Sequence, residues 1–570
     1  MALSDMNDLH KKKGAAAVRE AIEAAQPPES ISNPSAGKQL APAAANAKSD
    51  SADAFDASGK RVIRHDQGKL PEIVDCVVRS LAEADDLNLF IHAGRLSRVY
   101  PALEAQSGSV HRPKGTLILH DVDAAHLSEL AGQAALHEKY DGRIEKYRRI
   151  DCPRRVTETL LARGHWPELR RLNGFVEAPI VTLDGKLIDS PGYDANTGLF
   201  LAHSDIPGYK RPPKSPSNAK AKQAADFLLK WIELFPFVSD EDRSAALAML
   251  ITALVRRVLP AAPMFAITAP SAGTGKTLLA NTGPVISTGR FGSVLSLGHD
   301  DPEAEKRLGG VLLAGDGAVL LDNIERPLSG DLLCQVLTQP TVRLRPLGGS
   351  GMVSVPTNSL MIATGNNLAV LGDLKRRVVL IRLDAREERP EQRKFSRDHL
   401  EDIFANRGAL IAAALSIPLA YQGAGSPAID GLYPLGGFEQ WDAMVRRPLV
   451  WLGFPDPLLA SEGLREQDPD LDAMRQLFLS WESAFGTAPK TVAEVVAAGM
   501  DTFMEPHNTG PVLPELRDAL QLICSEKVNT RRVGYWLRAH RDRITEGMQL
   551  VQLGRDDHAK VAKWKVQRCG

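Results

Sequence analysis

The residues best equipped for chemistry form one run, Ser271-Ala272-Gly273-Thr274-Gly275-Lys276-Thr277-Leu278, directly after the apolar segment Met264-Phe265-Ala266-Ile267-Thr268. Glycines two apart let a turn curl so that backbone N–H groups converge on a phosphate, and a helix starting behind the turn adds its positive end. A lysine there reaches β- and γ-phosphate oxygens, and the hydroxyl of the next residue can ligate Mg²⁺. Those roles fall to Lys276 and Thr277. The strict form of the loop opens on glycine, where Pro270 stands here. A chance glycine turn is the bland alternative, and the apolar strand before it and the helix start after it argue against that. Gly283-Pro284 should shorten or kink the helix.

A phosphate loop needs a carboxylate on a neighbouring strand to steady its metal, and Ala318-Val319-Leu320-Leu321-Asp322 ends an apolar run in one acid. Asp322 is therefore the expected metal-side acid. Asn323 follows where an acid would polarise the attacking water, so Glu325 or Glu305 is left for that role, against the plainer reading of solvated surface acids. A third apolar run, Ser359 to Ala363, ends in Thr364-Gly365-Asn366-Asn367. An amide at that place can hold the lytic water or touch the γ-phosphate, with Asn366 ahead of Asn367. Gly372-Asp373-Leu374-Lys375-Arg376-Arg377 precedes the run Val378 to Leu383. Paired arginines there can reach a neighbouring subunit's phosphate, which implies a ring; a solvated basic turn is the alternative. Residues 342–355 hold two short strand candidates around a glycine turn, a hairpin whose Arg343 and Arg345 can grip DNA phosphates, or an ordinary surface hairpin.

Positioning these groups takes more than one core, because 570 residues exceed what a single hydrophobic interior serves. Residues 1–60, rich in Ala, Ser, Pro and Lys, are expected to be disordered. An α+β N-terminal domain is expected over 61–203, with helices near 73–81 and 154–163, a hairpin over 89–100, and an Asp184-Gly185 turn inside a second hairpin. Pro207, Pro212, Pro213 and Pro216 mark a linker over 204–221. From 222 to 400 helices alternate with the apolar strands 264–268, 318–321, 359–363 and 378–383, the pattern of a parallel sheet flanked by helices. Residues 401–500 read as helical. A helix over 529–541 followed by strands near 548–553 and 561–566 reads as a winged helix within 501–570.

Composition narrows the function classes. The formal charge of −1 means that nucleic-acid binding must come from local basic surfaces such as Arg531, Arg532 and Arg538 with Tyr535 and Trp536, although protein docking would use the same face. The 5 cysteines are scattered without a C-x-x-C pair, which argues against a disulfide framework or a zinc site. No signal peptide is visible, and no stretch approaches ~20 uninterrupted apolar residues, so a cytoplasmic chain with no membrane role is expected. Asp121-Val122-Asp123 resembles a metal-binding acid pair, but no further ligand stands at a supportive spacing.

Together, the loop ending in Thr277, Leu321-Asp322-Asn323-Ile324, Ala363 to Leu368 and Gly372 to Arg377 resemble the ATPase region of prophage and integrative-element primase-helicase proteins. The resemblance extends upstream to Asn173-Gly174-Phe175, Pro191-Gly192-Tyr193-Asp194 and Thr197-Gly198, and downstream to Trp451-Leu452-Gly453 and Asp456-Pro457. It implies an α/β P-loop NTPase core of the AAA+/superfamily 3 kind, with the α+β N-terminal domain and a helical, winged-helix-like C-terminal region. It further implies ATP and Mg²⁺ as cofactors, single-stranded or forked DNA as partner, and a hexameric ring. Longer relatives carry a primase domain that this chain does not show, so a primase would be a separate polypeptide. The expected function is an ATP-dependent DNA helicase of a phage-like or plasmid-like element. The alternative is a non-translocating ATP-dependent switch or loader.

Overall fold

A computed structural model describes residues 54–570, apart from 58, 102–104, 108–109, 203–204, 298–300, 346–351, 394–398, 463–468, 506–507, 525–526, 556–560 and 570. The expectation of disorder up to residue 60 thus falls mostly outside the described residues. Its last part does not hold, since the backbone N–H of Asp56 donates to the Lys60 carbonyl in a closed turn.

The N-terminal region runs β1 (Arg61–Arg64), α1 (Leu70–Glu83), β2 (Leu89–His92), β3 (Arg95–Pro101), β4 (Ala105–Ser107), β5 (Val110–Arg112), β6 (Leu117–Asp121), α2 (Ala124–Ala134), β7 (Ala135–Asp141), β8 (Lys146–Ile150) and α3 (Arg154–Arg163). Helix α1 buries Ile73, Val74, Val77, Val78 and Leu81, the 3.6-residue stripe that the sequence predicts. Short strands follow: β9 (Gly174–Val176), β10 (Ile180–Val181), β11 (Leu187–Ile188), β12 (Gly192–Asp194) and β13 (Leu199–Leu201). β10 and β11 pair antiparallel around the Asp184-Gly185 turn. The Asp194 carboxylate accepts from both the backbone N–H and the hydroxyl of Thr197, so the Pro191 to Gly198 segment closes on itself as a structural turn.

Next come α4 (Asn218–Ile232), α5 (Asp240–Val255), β14 (Met264–Ala269), α6 (Lys276–Thr288), β15 (Ser293–Leu295), α7 (Asp301–Ala314), β16 (Ala318–Ile324), α8 (Asp331–Thr338), β17 (Thr341–Leu344), β18 (Val353–Pro356), β19 (Leu360–Asn366), β20 (Val378–Arg382) and α9 (His399–Gly423). The expected linker is partly wrong. α4 begins inside it, with the Ser217 hydroxyl capping the Lys220 N–H and Ala221 fully buried. A Ser-Asn helix start is a strong cap, and the prolines before it only fix how the chain enters. Pro284 does not end α6 either, which runs on to Thr288 and stops at Gly289 with φ of 73°. Gly283 beside Pro284 lets α6 pack close to α5, since a Cβ there would lie 3.2 Å from the Ala253 methyl.

The central sheet orders its strands β20-β14-β19-β16-β15-β5-β4. The five from β20 to β15 are parallel, with α5 and α6 buried against them. β5 then pairs antiparallel with β15, so the N-terminal region supplies the strands that cover the sheet's edge rather than standing apart as a separate α+β body. The Arg112 guanidinium fastens this join by donating to both oxygens of the fully buried Asp316 carboxylate, at 2.9 and 2.7 Å.

Helix α9 is long and apolar enough, by length and composition, to cross a membrane. Its apolar run is shorter than ~20 uninterrupted residues, and α9 packs on α4 and α6 and buries Leu410, Ile411, Leu415 and Ile417 in the main core. The C-terminal core comprises α10 (Pro469–Phe485), β21 (Lys490–Thr491), α11 (Val492–Met500), β22 (Thr502–Glu505), β23 (Asn508–Pro511), α12 (Pro514–Cys524), α13 (Thr530–Ala539), β24 (Ile544–Thr545), β25 (Met548–Arg555) and β26 (Ala562–Arg568). Its sheet order is β21-β26-β25-β24, with α12 and α13 preceding the β25–β26 hairpin. The unit starts earlier than 501. Leu477, Phe478 and Trp481 of α10 share one core with Leu520, Leu537, Trp564 and Val566, because the apolar face of α10 is covered only there.

Candidate functional site

The glycine turn stands at the carboxyl end of β14, where Gly273 and Gly275 adopt φ of 76° and 93°, a region that side chains with a Cβ rarely enter. Gly273 has a second constraint: a Cβ on it would lie 2.8 Å from the backbone nitrogen of Glu391. Gly275 faces the Phe235 ring, 3.2 Å from where a Cβ would sit. Helix α6 starts at Lys276 with no side-chain cap, so its first N–H groups are left for the loop and its contents. Ser271 and Lys276 are partly buried, Thr274 is buried, and Ala272, Gly273 and Thr277 are exposed, while Leu278 packs against the core.

The Lys276 ammonium donates to the Ser271 carbonyl at 2.9 Å and to the Asn366 side-chain oxygen at 2.7 Å. Partial burial holds its pKa below the usual lysine value, and the Asp322 charge pulls the other way. The Thr277 hydroxyl donates to Asp322 Oδ1 at 3.0 Å. Asp322 is not on the strand next to β14, as the sequence led one to expect. β19 lies between, and Asp322 reaches across it from β16. Thr364 of β19 makes that reach possible: its hydroxyl donates to Asp322 Oδ1 at 2.5 Å while accepting from the Asn323 N–H at 3.1 Å. Reasoning from sequence missed Thr364, whose signal is a hydroxyl at the end of an otherwise apolar strand.

Two local irregularities aim these groups. The β16–β19 register shifts between Leu321 and Ile324, with Asn323 at φ of 53°, which turns the Asp322 carboxylate toward Thr277. Gly365 permits the close approach of β16, since a Cβ there would lie 2.6 Å from the Ile324 carbonyl oxygen. β14 and β19 pair Ala269 with Asn366, which sets Asn366 beside the start of the loop. Asn367, at φ of 44°, is tied through its N–H to the Ala269 carbonyl instead.

The other expected site residues fare differently. Glu325 is exposed and accepts from the Asn323 amide at 3.4 Å; among the described residues it bonds neither Thr277 nor Asp322. Glu305 lines a groove of about 450 Å³ with Asp331, Arg343 and Arg345. Arg343 on β17 and Arg345 just past its end are exposed, Val342 and Leu344 are buried, and the turn beyond lies outside the described residues. Arg376 is 67% exposed, whereas Arg377 is 14% exposed and donates to the Asp373 carbonyl at 3.0 Å as well as pairing with the Asp373 carboxylate. On α13, Arg531, Tyr535 and Arg538 share one exposed face, with the Arg538 guanidinium 5.1 Å from the Tyr535 ring centre. Arg532 instead donates to the Cys524 carbonyl at 2.8 Å, tying α13 to the end of α12. Among the described residues no group of three His, Cys, Asp or Glu side chains is placed to hold a metal ion.

The oxygens around Thr277 are hard donors of the type Mg²⁺ takes, one hydroxyl and one carboxylate beside a turn of backbone N–H groups. That set fits a metal-bound triphosphate. Comparison by sequence finds no matching family profile and no matching curated relative. Comparison by fold finds the apo A form of the NrS-1 C-terminal region, 12% identical over 79% of this chain and 100% of that one, with a TM-score of 0.32. It also finds JCV helicase, 15% identical over 41% of this chain and 67% of that one, with a TM-score of 0.19. Likeness that loose carries no assignment, which rests on the geometry: a mixed α/β chain whose central parallel sheet gathers a lysine, a hydroxyl, a carboxylate and an amide at one end.

Proposed function

We propose that the protein is an ATP-hydrolysing DNA helicase of the AAA+/superfamily 3 kind, working in the replication of a mobile element. The observation that carries the reading is the convergence of Lys276, Thr277, Asp322 and Asn366, from three separate strand ends, on one glycine turn. The backbone of Ser271 to Leu278 would wrap the phosphates, with Lys276 against the β/γ oxygens. Thr277 and Asp322 would hold Mg²⁺, which supplies charge neutralisation at the transferring phosphate. Asn366, now on Lys276, is within reach of whatever Lys276 binds and would orient the attacking water.

Exposure separates the two arginines: Arg376 pairs with the Asp373 carboxylate at 2.5 Å but is 67% exposed and would leave that pair to reach a neighbouring subunit, whereas Arg377, 14% exposed, is the staple that holds its turn. A ring, hexameric in the resembling family, follows if Arg376 acts in trans. Arg343 and Arg345 would contact the backbone of a translocating strand, and Arg531 and Arg538 would dock duplex near a fork. Lys276→Ala tests the core of the reading, because undiminished ATP turnover would refute the phosphate-loop assignment. Strand displacement on a labelled fork tests the rest; ATP consumption with the fork left annealed would favour a loader or switch.

A further inference from the structure

In the N-terminal region, β1 pairs in parallel with β7, and β7 pairs antiparallel with β8. The register sets Ile63 and His137 on the buried face and Val62, Arg64, Glu138, Tyr140, Tyr147 and Arg149 on the other. That outer face is open: Tyr140 is 50% exposed, Tyr147 37%, and Ile144 in the connecting turn 53%. The two tyrosines are cross-strand partners, edge to face at 5.5 Å. Tyr147 is held in place, with its hydroxyl donating to Asp66 at 3.3 Å and the Arg64 guanidinium 4.4 Å from its ring centre. Tyr140 has no such cover.

Charge says what fits this face. Arg64 and Arg148 lie near carboxylates, on Glu138 and Asp141 respectively. Arg149 on this face and Arg143 in the connecting turn have no carboxylate within ion-pair distance among the described residues, while Lys139 and Lys146 alternate onto the opposite face. Two exposed rings on a sheet, with the unpaired Arg149 on the same face of a chain of net charge −1, make a poor apolar protein interface and a good match for a strand that offers both bases and phosphates. A duplex hides its base faces, so the rings select an unpaired strand.

We infer that the β1–β7–β8 face is a single-stranded nucleic-acid platform, on which a base stacks on Tyr140 while Arg149 takes an adjacent phosphate. The site is separate from the glycine turn and does not depend on the ATPase reading. Its direct test is photocrosslinking of the full chain to a 5-iodouracil oligonucleotide, with peptide mapping. A crosslinked peptide within 138–149 is expected, and its absence from an otherwise crosslinked protein overturns the inference.

Fluorescence anisotropy with labelled oligo-dT supplies the second arm. Tyr140→Ala should weaken binding about tenfold and Tyr140→Phe hardly at all, the pattern of stacking rather than of a hydroxyl contact. Arg149→Glu should flatten the dependence of affinity on salt. ATP turnover without DNA should match the parent in each variant, which excludes misfolding. Unchanged oligo-dT affinity in Tyr140→Ala, or an equal loss for duplex, would place the contact elsewhere, as would binding to anionic lipid vesicles that Tyr140→Ala abolishes while oligo-dT binding persists.

Discussion

At the carboxyl ends of the central strands, Lys276, Thr277, Asp322 and Asn366 bond mainly one another around a turn that is partly open to solvent. At the amino ends of the same strands, charge is used up inside. The Arg256 guanidinium donates to the carbonyls of Ser359, Leu259 and Thr357, Arg257 to Asn358 and the Gly315 carbonyl, and Arg112 to Asp316. Burial, and then the neighbouring Arg257, pushes Arg256 down to about 9, so it remains a cation at neutral pH and needs all three carbonyls. The amino end also borders a hollow of about 820 Å³ beside Asn173, Lys186, Asp194 and Arg257. What separates the two ends is whether the polar groups have spent their hydrogen-bonding capacity on the fold.

The contrast predicts that substitutions at one end cost rate and at the other cost stability. Lys276→Ala should cut ATP turnover by about 10³-fold or more, since a cation aimed at transferring phosphate oxygens is lost, while the unfolding midpoint in urea moves little. A shallow loss of turnover with a large loss of stability would erase the distinction between the ends. Arg376→Ala should come next, lowering DNA-stimulated turnover by at least about 10²-fold with nucleotide affinity nearly kept, if it serves a neighbouring subunit. Mixing Arg376→Ala with Lys276→Ala protein should then restore part of the turnover, and Arg377→Ala should show instead as a lower melting temperature. If Arg377→Ala carries the rate loss and Arg376→Ala is silent, the assignment by exposure is reversed.

Arg256→Ala is the mirror experiment. It strands three buried carbonyls and leaves a cavity, which should cost about 3 kcal/mol of stability, while turnover per folded molecule stays near the parent value. Urea unfolding and active-site titration on the same sample check both halves.

Much of this was legible in the residues because local pattern and fold agree there. The apolar run before Gly273 and the period of α1 each specify their element without help from distant chain. The parts that were not legible are set by partners far away in sequence. β4 and β5 are too short to announce that they complete the sheet beside β15, a pairing across nearly two hundred residues. The position of β19 between β14 and β16 follows from crossover connections that periodicity does not encode. Thr364 matters only because that order brings it under Asp322. Arg376 and Arg377 are equivalent as text and both pair with Asp373; they differ in how far the surrounding turn encloses them.

A third spent cluster extends the contrast to pH. His137 Nε2 lies 3.1 Å from the Ala131 carbonyl and must donate to it, so His137 Nδ1 accepts from His65 Nε2 at 2.8 Å. Burial, and then the nearby His137, lowers the His65 pKa to about 4, and burial lowers that of His137 as well. A histidine that resists protonation when folded favours the folded state above its unfolded pKa, near 6.5, and that advantage drains away as pH falls toward 4. The melting temperature should therefore fall between pH 6.5 and 4.5, and fall less steeply in His65→Gln, which keeps a donor without a titrating ring. ATP turnover per folded molecule should be the same in the two proteins at each pH. Parallel stability curves would mean that the pair is solvated enough to titrate freely, and that its hydrogen bonds do not belong with those around Arg256.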